Sequence, residues 1–539
     1  MSTPYRGFMY TERRSAVAFW LGSLVVAIGV VLHLPMYWMG RSMRFMLAGM
    51  PMDSEMYVGM ALIVLGILSA GYGLLPKGIV SADRHLPETM APPEDAPLTR
   101  AHWLVMAVLA IGLIIDIMKP ASLGFVTPGM RVEYQLGNAI VALLPLSALA
   151  GTTLGSFVWG ALADIYGRRA AIMLSAVMFI GTSICGAMPS FWWNVFMCFV
   201  MGAAAGGMLP VAYALLAELM PTKHRGWCLV LIGGIGALGG YFAASGLSAV
   251  LQPYFGWRIM WFLNLPTGLM LIVLSPFLPE SARFLMHVGR VHEARMILAR
   301  FGVVKQIPPV SEEESGDVHT PVPPVEPRYL GPTFALTLAA LAWGLVNFGV
   351  LLWLPSALVA SDHSDVGHAV GAAGSIIAKS TLLSAPVVLA CVWMYSAWST
   401  KWSLVTMTAV MAAGLVALLL RELGVGVLSN PLIPVTLLVV GASGVIAILL
   451  PYTAENYPLR FRGRATGWVA GCTKLGGLLA QAVSALALVP TLGISAAVVA
   501  TLAGASLVLV GIFGRETRGR DLRDLERPAR VKNVSWSGT

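Results

Sequence analysis

Four ionisable side chains sit inside long apolar runs: Asp116 and Lys119 in 102–126, Lys379 in 368–394 and Lys474 in 465–488. If those runs cross a bilayer, each charge at mid-depth costs roughly 2.5–3.5 kcal/mol even on the mild insertion scale, so each calls for a partner or a task. Asp116 and Lys119 are three apart and share a helix face, where a self-neutralising ion pair is the bland alternative to a functional pair. Lys379 has Ser375, Ile376, Leu382 and Leu383 three and four positions away, with no carboxylate among them. It is therefore read as a lysine waiting for an anion. Lys474 is deep in its run, with snorkelling as its alternative. No metal-ligand spacing and no nucleophile–base constellation is found, so neither an enzyme, a metal nor a cofactor is expected. Cys185, Cys198, Cys228, Cys391 and Cys472 all fall in apolar runs and are read as packing residues.

A second set of charges lies just outside such runs. Glu218-Leu-Met-Pro221-Thr-Lys-His-Arg225-Gly226 recurs as Glu455-Asn-Tyr-Pro458-Leu-Arg-Phe-Arg462-Gly463, keeping E-x-x-P-x-x-x-R-G at identical spacing. Asp164, Glu280 and Glu516 occupy similar run ends, beside Arg168 and Arg283. Carboxylate–guanidinium pairs formed between two halves would close one face of the protein and separate when it opens. Partly exposed, each is worth about 1 kcal/mol or less, which suits a reversible latch.

The elements that must position these residues are transmembrane helices. Of 539 residues, 57% are hydrophobic and 11% charged. Fourteen runs are long enough to span about 30 Å of hydrocarbon, starting with 16–36 and 56–76 and ending with 490–513. The duplicated phrase, each copy between two such runs, implies an internally repeated membrane protein of the kind used by secondary transporters. Residues 1–100 read as a two-helix extension with a polar linker over 77–101. Residues 101–278 and 333–514 read as two six-helix halves. A central loop (279–332) and a tail (515–539) complete the chain, the loop opening on an amphipathic basic segment, His287 to Phe301. With both termini cytoplasmic, the outer loops hold few basic residues (Arg41, Arg44, Arg131, Arg258, Arg421), as the positive-inside rule expects for an inner-membrane protein. The net charge of +9 then reflects topology and lipid contact, not nucleic-acid binding. The first run lacks a cleavage site and is read as a retained helix.

Over roughly 101–525 the chain resembles the major facilitator superfamily. Gly160-Ala-Leu-Ala-Asp164-Ile-Tyr-Gly167-Arg168-Arg169 is similar to its G-x-L-x-D-R-x-G-R-R loop, with Ile165 in place of a basic residue. Pro279-Glu280-Ser281-Ala-Arg283 and Arg515-Glu516-Thr517-Arg-Gly519 are similar to phrases of sugar-porter-like members. The corresponding second-half loop, Tyr395 to Trp402, has lost its Asp and Gly, which implies an asymmetric latch. Asp116-Ile-Met-Lys119 resembles the D-G-x-D signature of aromatic-acid and nicotinate-type proton symporters, with Lys119 where the second Asp stands and Cys198 where an Arg is usual. The resemblance implies an all-α carrier whose central cavity takes Asp116, Lys119, Asn347, Lys379 and Lys474 as substrate-binding or coupling residues. Trp343 and Trp353 are a candidate aromatic face, with packing the commoner role of tryptophans in such helices. Three lysines against one aspartate favour a small organic anion, an aromatic or related carboxylate, with protons as candidate coupling ions. A sugar or polyol porter is the alternative substrate class, and a transport-inactive sensor or assembly subunit the alternative role. The extension is open between packing, oligomerisation and recruitment of a partner.

Overall fold

The computed structural model describes residues 13–75, 97–302, 329–359, 366–457, 459–488 and 491–518. Residues 77–96 of the expected linker, the acidic and Pro-rich part of the central loop and most of the tail lie outside the described residues. So do the side chains of Arg283 and Arg462.

The described chain is helical because a bilayer offers the backbone no other hydrogen-bond partners. The extension is α1 (Arg14–Met43) and α2 (Ser54–Leu74). The first half comprises α3 (Arg100–Glu133), α4 (Asn138–Tyr166), α5 (Arg168–Ala187), α6 (Phe191–Leu219), α7 (Lys223–Phe255) and α8 (Ile259–Phe277). Two short helices follow, α9 (Ala282–His287) and α10 (Val291–Arg300), the second within the segment expected to be amphipathic. The second half comprises α11 (Leu330–Val359), α12 (Val366–Trp398), α13 (Thr400–Glu422), α14 (Leu432–Asn456), α15 (Leu459–Ala485) and α16 (Leu492–Phe513).

Thirteen of these helices are long and apolar enough to cross a membrane by themselves. The fourteenth expected span falls in α15, which is long but too polar to qualify, since it carries Arg460, Arg462, Arg464, Lys474 and Gln481. The halves meet where α7 packs on α12 and α14, α4 on α15, and α3 on α11. Within the first half, α4 and α6 touch backbone to backbone: a methyl group at Gly202 would overlap the Ala148 carbonyl oxygen, so glycine is required there. The extension packs along α5. All five cysteines are free and buried. The ends carrying the duplicated phrase are called here the motif end, and the opposite ends the far end.

Candidate functional site

At mid-membrane the interface between the halves brings together α3, α7, α11 and α15. Asp116 on α3 and Lys474 on α15 are both half-buried and feel each other's charge across the interface, without forming a contact ion pair. Among the described residues Asp116 is the one carboxylate within the spans that lies away from a helix end. The Lys474 ammonium stands 5.1 Å from the centre of the Phe348 ring, a cation–π arrangement.

Phe348 belongs to a π-helical turn, Val346–Val350, inside α11. Such a turn changes the hydrogen bonding of nearby carbonyls and often marks functional positions. Here two of those carbonyls take side-chain donors. Gln481 of α15 donates to the Phe348 carbonyl. Tyr241 of α7 donates to the Asn347 carbonyl (3.2 Å) and to Asn347 Oδ1 (2.9 Å). Asn347, expected to face substrate, therefore lies at the interface as the second half's side of a bond between the halves.

Two expectations are corrected, and a third residue takes the more common of its two expected roles. Lys119 neither pairs with Asp116 nor faces the second half. It is 2% exposed and turns into the first half, donating to Asn264 Oδ1 and Thr267 Oγ1 (3.1 Å) and lying 4.1 Å from the Phe179 ring centre. Three residues advance a helix by about 300°, so the two side chains diverge by roughly 60°. Lys379 lies on the exposed face of α12 together with Leu382, Leu383, Leu389 and Trp393. Large exposed apolar side chains line that face, as they do on a surface toward lipid. Trp343 is buried within the second half, where its indole donates to the Ala442 carbonyl (2.7 Å), so it is a packing residue.

The motif end holds a second assembly. Gly167 joins α4 to α5 with φ of +101°, and a Cβ there would collide with the Glu280 carboxylate. Glu280 Oε1 accepts the N–H groups of Arg168 (2.8 Å), Arg169 (3.3 Å) and Ser281 (2.9 Å), capping the start of α5. Burial pushes its carboxyl above the usual range, against the downward pull of those N–H groups and of Arg169. Glu218 accepts from Arg168 Nε (3.2 Å) and Nη2 (2.5 Å) and from the Ser281 hydroxyl. Arg168 also reaches Asp164 at 3.4 Å, although Asp164 is 78% exposed.

In the second half Glu516 accepts from Thr400 N (3.0 Å), Thr400 Oγ1 (2.7 Å) and the Ser399 hydroxyl, capping α13. Thr517 donates to Glu455 (2.8 Å). Of the charges expected to pair between the halves, Arg168 joins Glu218 and Asp164 of its own half. Arg225 donates to the Met220 carbonyl at 3.4 Å. The halves do approach at this end, where a Cβ on Gly226 of α7 would stand 2.9 Å from Glu455 Oε1. Gly160 has open space around it.

A further cluster, which sequence reading left as an outer-loop arginine, sits at the far end. Arg258 and Glu133 form an ion pair at 2.6 Å with side chains 0% and 2% exposed. Trp257 donates to the same carboxylate at 2.8 Å.

This arrangement has known counterparts. The chain is 24% identical over 451 residues to the niacin transporter NiaP of Acinetobacter baylyi, covering 80% of this chain and 98% of that protein. It is 27% identical to the 4-hydroxybenzoate transporter PcaK of the same organism, covering 73% and 86%. Among solved structures, a partially occluded inward open form of the xylose transporter XylE from E. coli superposes with a TM-score of 0.62. That superposition covers 78% of this chain and all of that one at 17% identity, a likeness of fold alone. Residues 103–480 match the Major Facilitator Superfamily as a family. From within α3 to within α15, then, the repeated helices and their interface belong to one known design: the chain is a member of the Major Facilitator Superfamily and a membrane transport protein.

Proposed function

We propose that the protein is a secondary carrier for a small organic anion, an aromatic or related carboxylate, moved by alternating access with Asp116 as the proton-coupling group. The observation that carries this reading is the facing pair Asp116 and Lys474, one from each half, at mid-membrane. A substrate carboxylate is the natural counter-charge for Lys474, whose ammonium rests over the Phe348 ring at the interface. Asp116 is then free to load and release a proton as access changes. The named substrates of NiaP and PcaK, niacin and 4-hydroxybenzoate, fit this chemistry and support the reading. The carrier is placed in the inner membrane with both termini and the basic motif end cytoplasmic, on the bias of basic residues toward that end.

The test is uptake by proteoliposomes of labelled nicotinate, 4-hydroxybenzoate and xylose. Lys474→Met is expected to weaken acid uptake by about 30-fold or more, the loss typical of removing one partner of a desolvated charge contact. Asp116→Asn is expected to abolish acid-driven accumulation while counterflow exchange persists, since exchange needs no net proton movement. Xylose uptake without acid uptake would overturn the anion reading in favour of a sugar carrier. No uptake of any of the three would favour the transport-inactive sensor.

A further inference from the structure

The segment joining α1 to α2 makes an unusual turn. Arg44 and Phe45 are consecutive non-glycine residues with φ of +54° and +61°, a left-handed conformation that costs side-chain-bearing residues free energy and persists only where surroundings enforce it. The surroundings are specific. Phe45 stacks on Tyr37 at 4.7 Å, and the Tyr37 hydroxyl donates to the Phe255 carbonyl at the end of α7 (2.8 Å). Immediately after the turn, the N–H groups of Leu47 and Ala48 both point at Glu133 Oε1, at 2.6 and 2.9 Å. Gly49 N–H donates to the Pro189 carbonyl, between α5 and α6, at 3.2 Å.

Glu133 is the last residue of α3 and is spent on the Arg258 pair at the same time. Arg258 in turn donates to the carbonyls of Gly186 (3.3 Å) and Met188 (2.7 Å) and to the Tyr134 hydroxyl (3.0 Å). One carboxylate thus gathers the extension, the end of α3 and the α7–α8 turn, with the α5–α6 turn joined through Arg258. Nine residues back along α3, Gly124 lies against the Leu352 carbonyl and Pro355 of α11, where the first half meets the second at the far end.

We propose that the extension is a clamp: through Leu47 and Ala48 on Glu133 it fixes the far third of α3, and so the contact of α3 with α11. Glu133 is accordingly a positioning residue for the closure of the halves at the far end. A carboxylate that loses one of its donors is destabilised, enough to change a local opening equilibrium about tenfold. The clamp therefore makes a prediction across the interface that a local cap does not. Released, it should loosen residues 351–359, which the extension is not needed to cover.

The experiment is deuterium exchange on the full-length protein in lipid nanodiscs, read over 44–50, 121–133 and 351–359. Ala48 is exposed, so Ala48→Pro removes one amide donor with little risk to folding. It is expected to raise exchange about tenfold in all three segments, whereas Ala48→Ser, which keeps the N–H, stays at the wild-type rate. The double variant Glu133→Met with Arg258→Met removes the anchor without leaving a lone buried charge and is expected to reproduce the Ala48→Pro pattern. Exchange raised only in 44–50, with 121–133 and 351–359 at wild-type rates in both variants, would overturn the clamp. So would Ala48→Ser behaving like Ala48→Pro.

Discussion

The two motif-end networks occupy equivalent places in the two halves and differ in what they are made of. In the first half Glu280 caps α5 and Glu218 is bound by the Arg168 guanidinium. In the second, Glu516 caps α13 through Thr400 and Ser399, and Glu455 takes a hydroxyl from Thr517. The cap is present in both because a helix start leaves N–H groups unpartnered, and a carboxylate both satisfies them and suits the positive end of the helix dipole. The first half places the Arg168 guanidinium at the start of its helix, where the second half has Thr400. The two halves therefore share a joint but not the residue that opens it.

Arg168→Ala should separate the two most sharply. It strips Glu218 of its guanidinium in a site where both side chains are mostly shielded from solvent, and is expected to cost about 2 kcal/mol, read as a lowered melting temperature in detergent. Thr400→Val removes a hydroxyl but leaves the backbone cap, so about 1 kcal/mol is expected. Equal losses would mean that charge adds nothing to the joint.

The subtlest contrast lies in pH. The Glu280 carboxyl is held above its ordinary value of 4.5 by burial. Its unfavourable ionisation is relieved on acidification, so its contribution to stability falls as pH rises above 4.5. At Glu516 burial pushes upward, but hydrogen bonds from Ser399, Thr400 and the Arg518 N–H outweigh it and hold the carboxyl below 4.5. Its contribution is present above 4.5 and is lost as pH falls through its lowered value. Amide exchange corrected for intrinsic rates, followed from pH 7 to pH 4, should show protection at the start of α5 rising relative to the start of α13. Parallel changes at the two helices would break the distinction.

Much of this architecture was legible in the sequence because membrane helices announce themselves by length and apolarity, and the duplication by a nine-residue phrase. What was not legible is direction around a helix. Lys379 and Lys474 look alike in one dimension, each a lysine deep in an apolar run, yet one lies on an exposed apolar face with Leu382 and Leu383 and the other faces Asp116. Asp116 and Lys119 look like neighbours, but a 60° divergence leaves one toward the interface between the halves and turns the other into its own half. Likewise, the loop motifs name the charges at the motif end but not whether Arg168 reaches across the halves or stays within its own. The Glu133–Arg258 pair was missed for a related reason. Both residues stand at helix ends, where a charge is ordinarily solvated, and a one-dimensional reading does not show the extension and the neighbouring turns closing around them.

The polarity of α15 bears on how the chain enters the membrane in the first place. Lys474 sits in the segment with the weakest affinity for lipid of the helices that build the two halves, and on the insertion scale such a lysine near mid-helix adds about 2.5–3.5 kcal/mol of resistance. The packing of α15 on α11 and α14, with Gln481 taken up by the Phe348 carbonyl, supplies what the lipid does not. The helix that carries the interface lysine is thus held in the bilayer as part of an assembled half, and that lysine makes its insertion wait for helices made before it.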